Sequence, residues 1–381
     1  MPERLPAWAW WSARARERAW TVGVEEEVML LDARTWLPAN RVEDVLAALA
    51  PSMAARASAE THACVVELKT DVHVHVAGLA AELAALRRAL DGIARDRLGL
   101  RVAAAGTHPL ASGSEVRVSS GPRYRKIAST TRALAHREPT MALHVHVGVP
   151  DAAQAVRALD GLRGDLPLLL ALSANSPYWR GRDSGFASVR TPLFSMFPRV
   201  GIPRRFGTYV EYVRVVDALL RSGAIPEPTF LWWDARLQPR LGTVEVRIMD
   251  SQSRLGDTAA LAAVVQCLVR RRAEGPPASA LDPEVLSENR FLAARDGMRA
   301  RTIDALGTLR PVRAALAEAL TACRPIAASL NCARELAGAA LLAADPGYVR
   351  QRSLAAQNGL AALPACLAAD FVTEGRCVSA V

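Results

Sequence analysis

The sequence predicts an α+β protein: one antiparallel sheet with helices on one face and its other face open, followed by a helical C-terminal stretch. Four stretches alternate polar and aliphatic residues with period two. They set Glu25/Glu27 against Val24/Val28, Glu67/Lys69 against Val66/Leu68, His144/His146 against Val145/Val147 and Glu245/Arg247 against Val244/Val246. Successive strand side chains point to opposite faces, so each stretch would bury one face and open the other. Other segments have helical spacing. In residues 78–98, Leu79, Leu83, Leu86, Leu90 and Ile93 recur at steps of four and three. From 256 onward the chain reads as helix after helix, which favours α+β over alternating βα units.

Taken in order, residues 1–19 are rich in Trp and Arg and read as an arm, docked or frayed. A strand follows, ending near Asp32. Residues 42–57 are helical in spacing and 58–70 form a second strand. In the helix at 78–98, Arg87, Arg88, Arg95 and Arg97 lie off the apolar stripe and are expected on a solvated face. Strands are expected at 100–105 and at 141–149, the latter stopped by Pro150. Residues 151–173 are helical with a break at Pro167. Residues 174–206 form a long loop dense in Gly, Pro, Arg and aromatics, and loops of that length in a compact domain are usually functional. A helix over 209–221 is closed by Gly223. Strands at 230–236 and 243–250 precede helices at 256–274, 284–299, 301–322, 325–343 and 346–370. Residues 20–381 read as a single domain whose part from 276 to 381 is mostly helical. The short break at Gly275-Pro276-Pro277 is the one linker candidate.

At 381 residues and 51% hydrophobic, the chain can bury a full core. Its net charge of +9 fits a basic soluble protein, or one with an acidic partner such as a nucleotide, an acidic peptide or a carrier protein. Cys64, Cys267, Cys323, Cys332, Cys366 and Cys377 show no metal-binding spacing and read as reduced, buried thiols. The N-terminal stretch lacks the continuous apolar segment of a signal peptide, and no run is long enough to span a membrane. A cytoplasmic location is expected by elimination, with neither membrane nor nucleic-acid partners.

The chemistry lies in the open face. An ordinary solvated face carries Lys, Thr and Ser; this one carries Glu and His, which are ligands for cations. Two like charges about 4 Å apart repel by roughly 4 kcal/mol at an effective dielectric of about 20. Glu25 and Glu27 therefore need cations or must take up a proton. Ligation rich in oxygen favours Mg²⁺ or Mn²⁺ over Zn²⁺, and such clusters commonly bridge nucleotide phosphates. Arg247, two residues after Glu245 on the same face, could meet phosphate oxygens. Neither a P-loop nor a strand-linked G-x-G-x-x-G is present, so ATP does not follow from these residues alone. A second H-x-H at His73 and His75 makes a metal-dependent hydrolase the rival. No H-E-x-x-H and no nearby Cys ligand accompany it, and both histidines are expected to be surface or structural residues. Glu26, alone on the aliphatic face of its strand, calls for a buried partner such as an arginine.

Several ordered motifs resemble the glutamate–cysteine ligase type 2, or carboxylate–amine ligase, family. They include Thr21-Val-Gly-Val-Glu-Glu-Glu, Gly106-Thr-His-Pro, Arg123-Tyr-Arg, His144-Val-His-Val-Gly-Val-Pro and Leu172-Ser-Ala-Asn-Ser-Pro-Tyr-Trp-Arg-Gly-Arg-Asp. Ser188-Val-Arg-Thr, Leu231-Trp-Trp-Asp-Ala-Arg, Gly242-Thr-Val-Glu-Val-Arg and Glu288-Asn-Arg-Phe follow, so that the set covers roughly residues 20–300. The resemblance implies a glutamine-synthetase-like catalytic domain, with a curved antiparallel sheet of about six strands and helices on its convex face. It also implies that a substrate carboxylate takes the γ-phosphate of ATP and that an amine captures the acyl phosphate.

In such ligases the metal ligands would fall on Glu25, Glu27, Glu60, Glu67, His144 and Glu245. Arg247, Glu27 and Glu245 would be catalytic, and Arg247, Arg236 and Lys69 would bind ATP. Arg190, Asn175, Arg123, Tyr124 and Trp233 would meet the substrates. A homodimer acting on small carboxylates and amines is expected, an amino acid among them, with a peptide or carrier-protein acceptor as the alternative. The chain departs from the family pattern at Ala142, at Arg137-Glu138-Pro139-Thr140, at Val189, and at Phe194 and Phe197, where tryptophans are expected. These departures imply the same activation chemistry with an altered substrate.

Overall fold

In the computed structural model, which describes residues 5–276 and 281–373, seven strands form one sheet. They are β1 (Val22–Asp32), β2 (Ala57–Ala59), β3 (Val65–Lys69), β4 (Leu100–Ala103), β5 (Ala142–Gly148), β6 (Ala235–Gln238) and β7 (Thr243–Asp250). The order is β6-β7-β5-β1-β3-β2, antiparallel throughout. Eleven residues long, β1 is the axis of the sheet. It pairs with β3 on one side, and on the other with β5 along its first half and β4 along its last.

Among the described residues, fourteen α-helices accompany the sheet. The first eight are α1 (Val42–Ala48), α2 (Pro51–Ala54), α3 (Val76–Leu98), α4 (Pro122–Thr131), α5 (Ala152–Leu162), α6 (Leu166–Ser173), α7 (Arg190–Phe194) and α8 (Tyr209–Arg221). They are followed by α9 (Leu255–Glu274), α10 (Pro283–Asp296), α11 (Val312–Ser329), α12 (Ala333–Ala344), α13 (Gly347–Asn358) and α14 (Leu363–Val372). The aliphatic face of the sheet is buried beneath them. Val24, Val145, Val147, Val244 and Val246 share a core with α5 and α9, while Val28, Leu30, Val66 and Leu68 pack against α1, α3 and Phe371 of α14. Among the described residues, no helix is long and apolar enough to cross a membrane.

The arm is docked. Trp8 donates from its indole nitrogen to Asp217 at 3.2 Å and Trp11 to the Val149 carbonyl at 3.1 Å. Cys64, Cys267, Cys323 and Cys332 are buried free thiols and Cys366 is half-buried. Cys377 and Pro277 lie outside the described residues.

Several boundaries differ from the sequence reading. The 42–57 segment is two helices, because Pro51 restarts the chain at the first turn of α2. The 58–70 strand is a hairpin: β2 and β3 are joined by residues 60–64, so Glu60 stands in a turn. At 228–236 there is a 3₁₀ turn, Pro228–Phe230, and then Trp232–Trp233, which pairs in parallel with Val200–Gly201 before β6 begins. The 174–206 loop contains α7 and a small ladder, Tyr178–Trp179 with Arg182–Asp183. The start of the 301–322 helix is a hairpin, Arg301–Ile303 with Leu309–Pro311. Asp304 turns it by accepting from the amides of Leu306 and Thr308. α11 runs through Pro325 to Ser329, and Gly359, at φ 84°, divides the last long helix.

Arg87 departs furthest from expectation. Instead of lying on a solvated face it is 1% exposed, and it is the partner that Glu26 needs. Its Nε donates to Glu26 Oε2 at 2.8 Å and its Nη2 to Oε1, and Thr258 adds a hydroxyl at 3.1 Å. The remaining guanidinium hydrogens reach the carbonyls of Gln252 at 2.8 Å, Ser253 at 3.1 Å and Phe371 at 3.3 Å. Removing one partner of a buried pair strands the other charge, at a cost of roughly 3–5 kcal/mol. Urea unfolding of Arg87→Ala should register a loss of about that size. The paired change Glu26→Gln/Arg87→Met should lose less, and a loss from Arg87→Ala within about 1 kcal/mol of zero would remove the pair from the fold's supports.

Candidate active site

The open face of the sheet is built from cross-strand rows. Lys69, Glu25 and His144 stand side by side on β3, β1 and β5. Glu67 lies opposite Glu27, with Ser58 beyond it on β2. His146, Glu245 and Arg236 form a third row across β5, β7 and β6, and its neighbour on β1 is Gly23, which offers no side chain. Period two puts every one of these groups on the same face. All of these side chains except Glu245 border a cavity of about 510 Å³ that also receives Glu60, Arg190 and Arg247.

Three sets of ligand atoms lie within 4.8 Å of one another: Glu27, Glu60 and Glu67; Glu25, Glu67 and His144; and Glu25, His146 and Glu245. The imidazole of His144 sits 3.3 Å from Glu25 and 3.7 Å from Glu27. Burial and the Arg247 charge bring its pKa down to about 3, so the ring is neutral and able to act as a ligand. Burial drives Glu27 well above the usual carboxylate range, aided by the charges of Glu60 and Glu67. Glu67 is pushed up to about 7 by burial and by Glu25 and Glu60, against the pull of Lys69 at 2.8 Å. At Glu25, burial is outweighed by the imidazoles of His144, 3.3 Å away, and His146, 3.7 Å away, which hold it well below that range. The first two ligand sets are therefore short of positive charge, and their oxygen-rich chemistry fits Mg²⁺ or Mn²⁺.

Glu245 is different. It is 0% exposed, yet Arg236 grips it at 2.6 and 3.2 Å, Gln238 donates at 2.7 Å and Arg247 donates as well. Against the penalty of burial, the two arginines hold its carboxyl well below the usual range. Its oxygens are taken, and its visible work is to hold Arg247 and Arg236 toward the cavity. Arg247 lies where β7 bulges, between Val246 and Met249.

The cavity gathers Glu25, Glu27, Glu60, Glu67, His144, Lys69, Arg236, Arg247, Arg190, Arg123 and Tyr124. Arg123 pairs with Glu227 at the rim, and Tyr124 donates to the Ala59 carbonyl. The terminal nitrogens of Arg190 donate to the backbone of the bulge, to Ile248 O at 3.1 Å and Arg247 O at 3.4 Å, while its buried Nε has no partner. Two residues expected at the substrate stand elsewhere. Asn175 is fully buried and ties Ser251, Ser253 and Gln351 together, and Trp233 packs on Phe206 and Tyr212. His73 bonds Glu82 at 2.6 Å and His75 meets the Leu330 carbonyl at 3.2 Å, both away from the cavity. His146 was the ligand candidate missed, although its place two residues after His144 put it on the same face. Glu227 and Gln238 sit at a loop and a strand end, where alternation gives no signal.

The family model for glutamate–cysteine ligase family 2 matches residues 21–363. A relative from Rubrobacter xylanophilus, named "Putative glutamate--cysteine ligase 2-3", is 41% identical over 343 residues, covering 89% of this chain and 93% of the relative. One from Gloeobacter violaceus, named "Putative glutamate--cysteine ligase 2", is 35% identical over 363 residues, covering 93% and 97%. Among solved structures, a glutamate–cysteine ligase from Francisella tularensis in complex with AMP superposes with a TM-score of 0.68 at 10% identity, covering 94% of this chain and 90% of that one. A bifunctional glutathione synthetase from Pasteurella multocida gives 0.65 at 14%, covering 92% of this chain and 52% of that one. At such low identity these structures bear on the fold alone.

The raised Glu67 gives a stability signature. The folded protein keeps a proton on this carboxyl between about pH 4.5 and 7, where the unfolded chain has lost it. Stability must then fall as pH rises through that window. Without divalent ions, Glu67→Gln should melt higher than the parent at pH 8 and lose that advantage toward pH 5. Added Mg²⁺ should raise the parent's melting temperature more than the variant's. A variant that melts lower at pH 8 would mean that Glu67 is already well compensated.

Proposed function

The chain belongs to glutamate–cysteine ligase family 2 and is an ATP-dependent ligase, and from that premise we propose that it joins a carboxylate to an amine through an acyl phosphate. The observation that supports this most is a juxtaposition. Two ligand sets short of cations, Glu27/Glu60/Glu67 and Glu25/Glu67/His144, face Arg247 and Arg236 across one cavity.

In this reading Glu25, Glu27, Glu60, Glu67 and the neutral His144 hold Mg²⁺ or Mn²⁺. The ions would supply charge neutralisation for the polyphosphate. Arg247 meets the transferring phosphoryl group with its planar fork, and Glu245 and the bulge keep that fork in place. Arg236 and Lys69 add positive charge near the phosphates. The substrate carboxylate attacks the γ-phosphorus and ADP departs. The amine nitrogen then attacks the acyl carbon, phosphate departs as the C–O bond breaks, and the nitrogen gives up one proton to the departing phosphate or to water. The protein supplies position and charge and no covalent nucleophile.

The names of the relatives point to glutamate and cysteine as substrates. The departures at Ala142, Val189, Phe194 and Phe197 favour an altered pair, built on the same activation chemistry. In place of a substrate contact, we assign Arg190 the task of holding the backbone of Arg247.

Incubating the enzyme with ATP, Mg²⁺, hydroxylamine and a panel of carboxylates should yield a hydroxamate for at least one of them. Phosphate release with no hydroxamate from any carboxylate would overturn the acyl-phosphate route. Glu25→Gln and Arg247→Lys should each lower turnover by about a hundredfold or more while keeping the fold, as read by circular dichroism. Full activity in either variant would take that residue out of the mechanism.

A further inference from the structure

The cavity has a second wall that the phosphoryl chemistry leaves unused. Phe194, Phe197 and Trp232 line it together with the carboxylates. Their rings form an unbroken series, with centroids 5.5 Å apart from Phe194 to Phe197 and 6.1 Å, edge to face, from Phe197 to Trp232. Trp232 in turn packs on Phe230, with centroids 6.0 Å apart, and on the Arg199 guanidinium at 5.0 Å.

The wall begins at the reacting end. The Arg190 guanidinium lies 5.6 Å from the Phe194 ring and donates to the carbonyl of Arg247, the residue assigned to the transferring phosphoryl group. The nucleobase of an ATP whose γ-phosphate sits at Arg247 is a ribose and two further phosphates away. What lies next to the γ-phosphate is the attacking carboxylate and, after it, the amine. Phe194 and Phe197 are therefore placed to touch the body of a substrate. Aromatic rings held in fixed contact present a large apolar surface that a small polar molecule leaves uncovered, whereas a flat or aliphatic group gains area and ring contacts.

We propose that one of the two molecules joined here carries an apolar, preferably aromatic, body that lies along Phe194, Phe197 and Trp232. This rests on the placement of the γ-phosphate at Arg247.

The test has two arms, both with ATP and Mg²⁺. In one, phenylacetate and 4-phenylbutyrate are compared with acetate and glutamate as carboxylates, with hydroxylamine as the amine. In the other, phenethylamine and tyramine are compared with ethanolamine and cysteine as amines, using the best carboxylate. One arm should show the aromatic members ahead by tenfold or more in kcat/KM, and that arm identifies which substrate the wall holds. Phe197→Ala should cut this preference about tenfold, the scale of one lost ring contact, and Phe197→Leu should retain part of it. Melting curves of both variants establish that they fold, and if Phe197→Ala does not, Phe197→Leu decides. Hydroxamate formation with no aromatic preference in either arm would overturn this inference and leave the ligase reading standing. So would a variant in which the KM for ATP rises while the preference is unchanged, since the wall would then serve the nucleobase. The absence of hydroxamate from every carboxylate would instead remove the placement on which the inference rests.

Discussion

The buried pair between Glu26 and Arg87 sets the register of the whole site. A strand cannot turn one side chain without turning its neighbours the other way, so a carboxylate pinned into the helical layer obliges Glu25 and Glu27 to face the cavity. Arg87 also reaches the carbonyls of Gln252 and Ser253 at the entry to α9 and of Phe371 near the C-terminal end of α14. One side chain on α3 thus joins the central strand to two helices distant in sequence. Arginine suits this position because its fork satisfies two carboxylate oxygens and still has donors for backbone.

The other side of β1 is governed by uneven charge compensation. Glu245 has more cationic partners than it needs, while Glu27 and Glu67 have fewer. The two halves of the face therefore differ in kind although both are rich in carboxylate. One half is a closed structural network that holds arginines at fixed positions. The other is left poised for charge from outside. A face on which every carboxylate was paired internally would be more stable and would have no reason to take up divalent ions.

Much of this was legible in the residues. Alternation identified β1, β3, β5 and β7 and the polar face they share, because a strand's pattern is local and each carries its own. The need of Glu26 for a partner was legible too, but its source was not. Arg87 sits on a helix with three other arginines off the apolar stripe, and nothing local separates the one that turns inward. The network around Asp250, which draws in Asn175, Ser176 and Ser188, was hidden for the same reason. Its members are small polar residues far apart in sequence, which read as loop until the fold brings them together. Asn175 was thus expected at the substrate because its motif was recognisable, although its side chain is fully enclosed. The hairpin at 301–311 was hidden by helical composition on either side of it.

The stretch from 174 to 206 is loosely patterned but unevenly anchored. Its inner points, Asn175, Ser176, Ser188 and Arg190, hang on Asp250 and on the bulge of β7. Between them, Arg182 and Asp183 form an exposed ladder strand, flanked by Gly181 and Gly185 at φ 73° and 78°, where the backbone itself requires glycine. Variation in this stretch is therefore channelled. Changes at the exposed Arg182 and Asp183 stay at the surface, whereas a change at Arg190 reaches Arg247 through one hydrogen bond to its carbonyl. On the proposed roles, drift beyond the last anchor, around Phe194 and Phe197, changes what the enzyme accepts while the groups assigned to the phosphoryl step stay fixed.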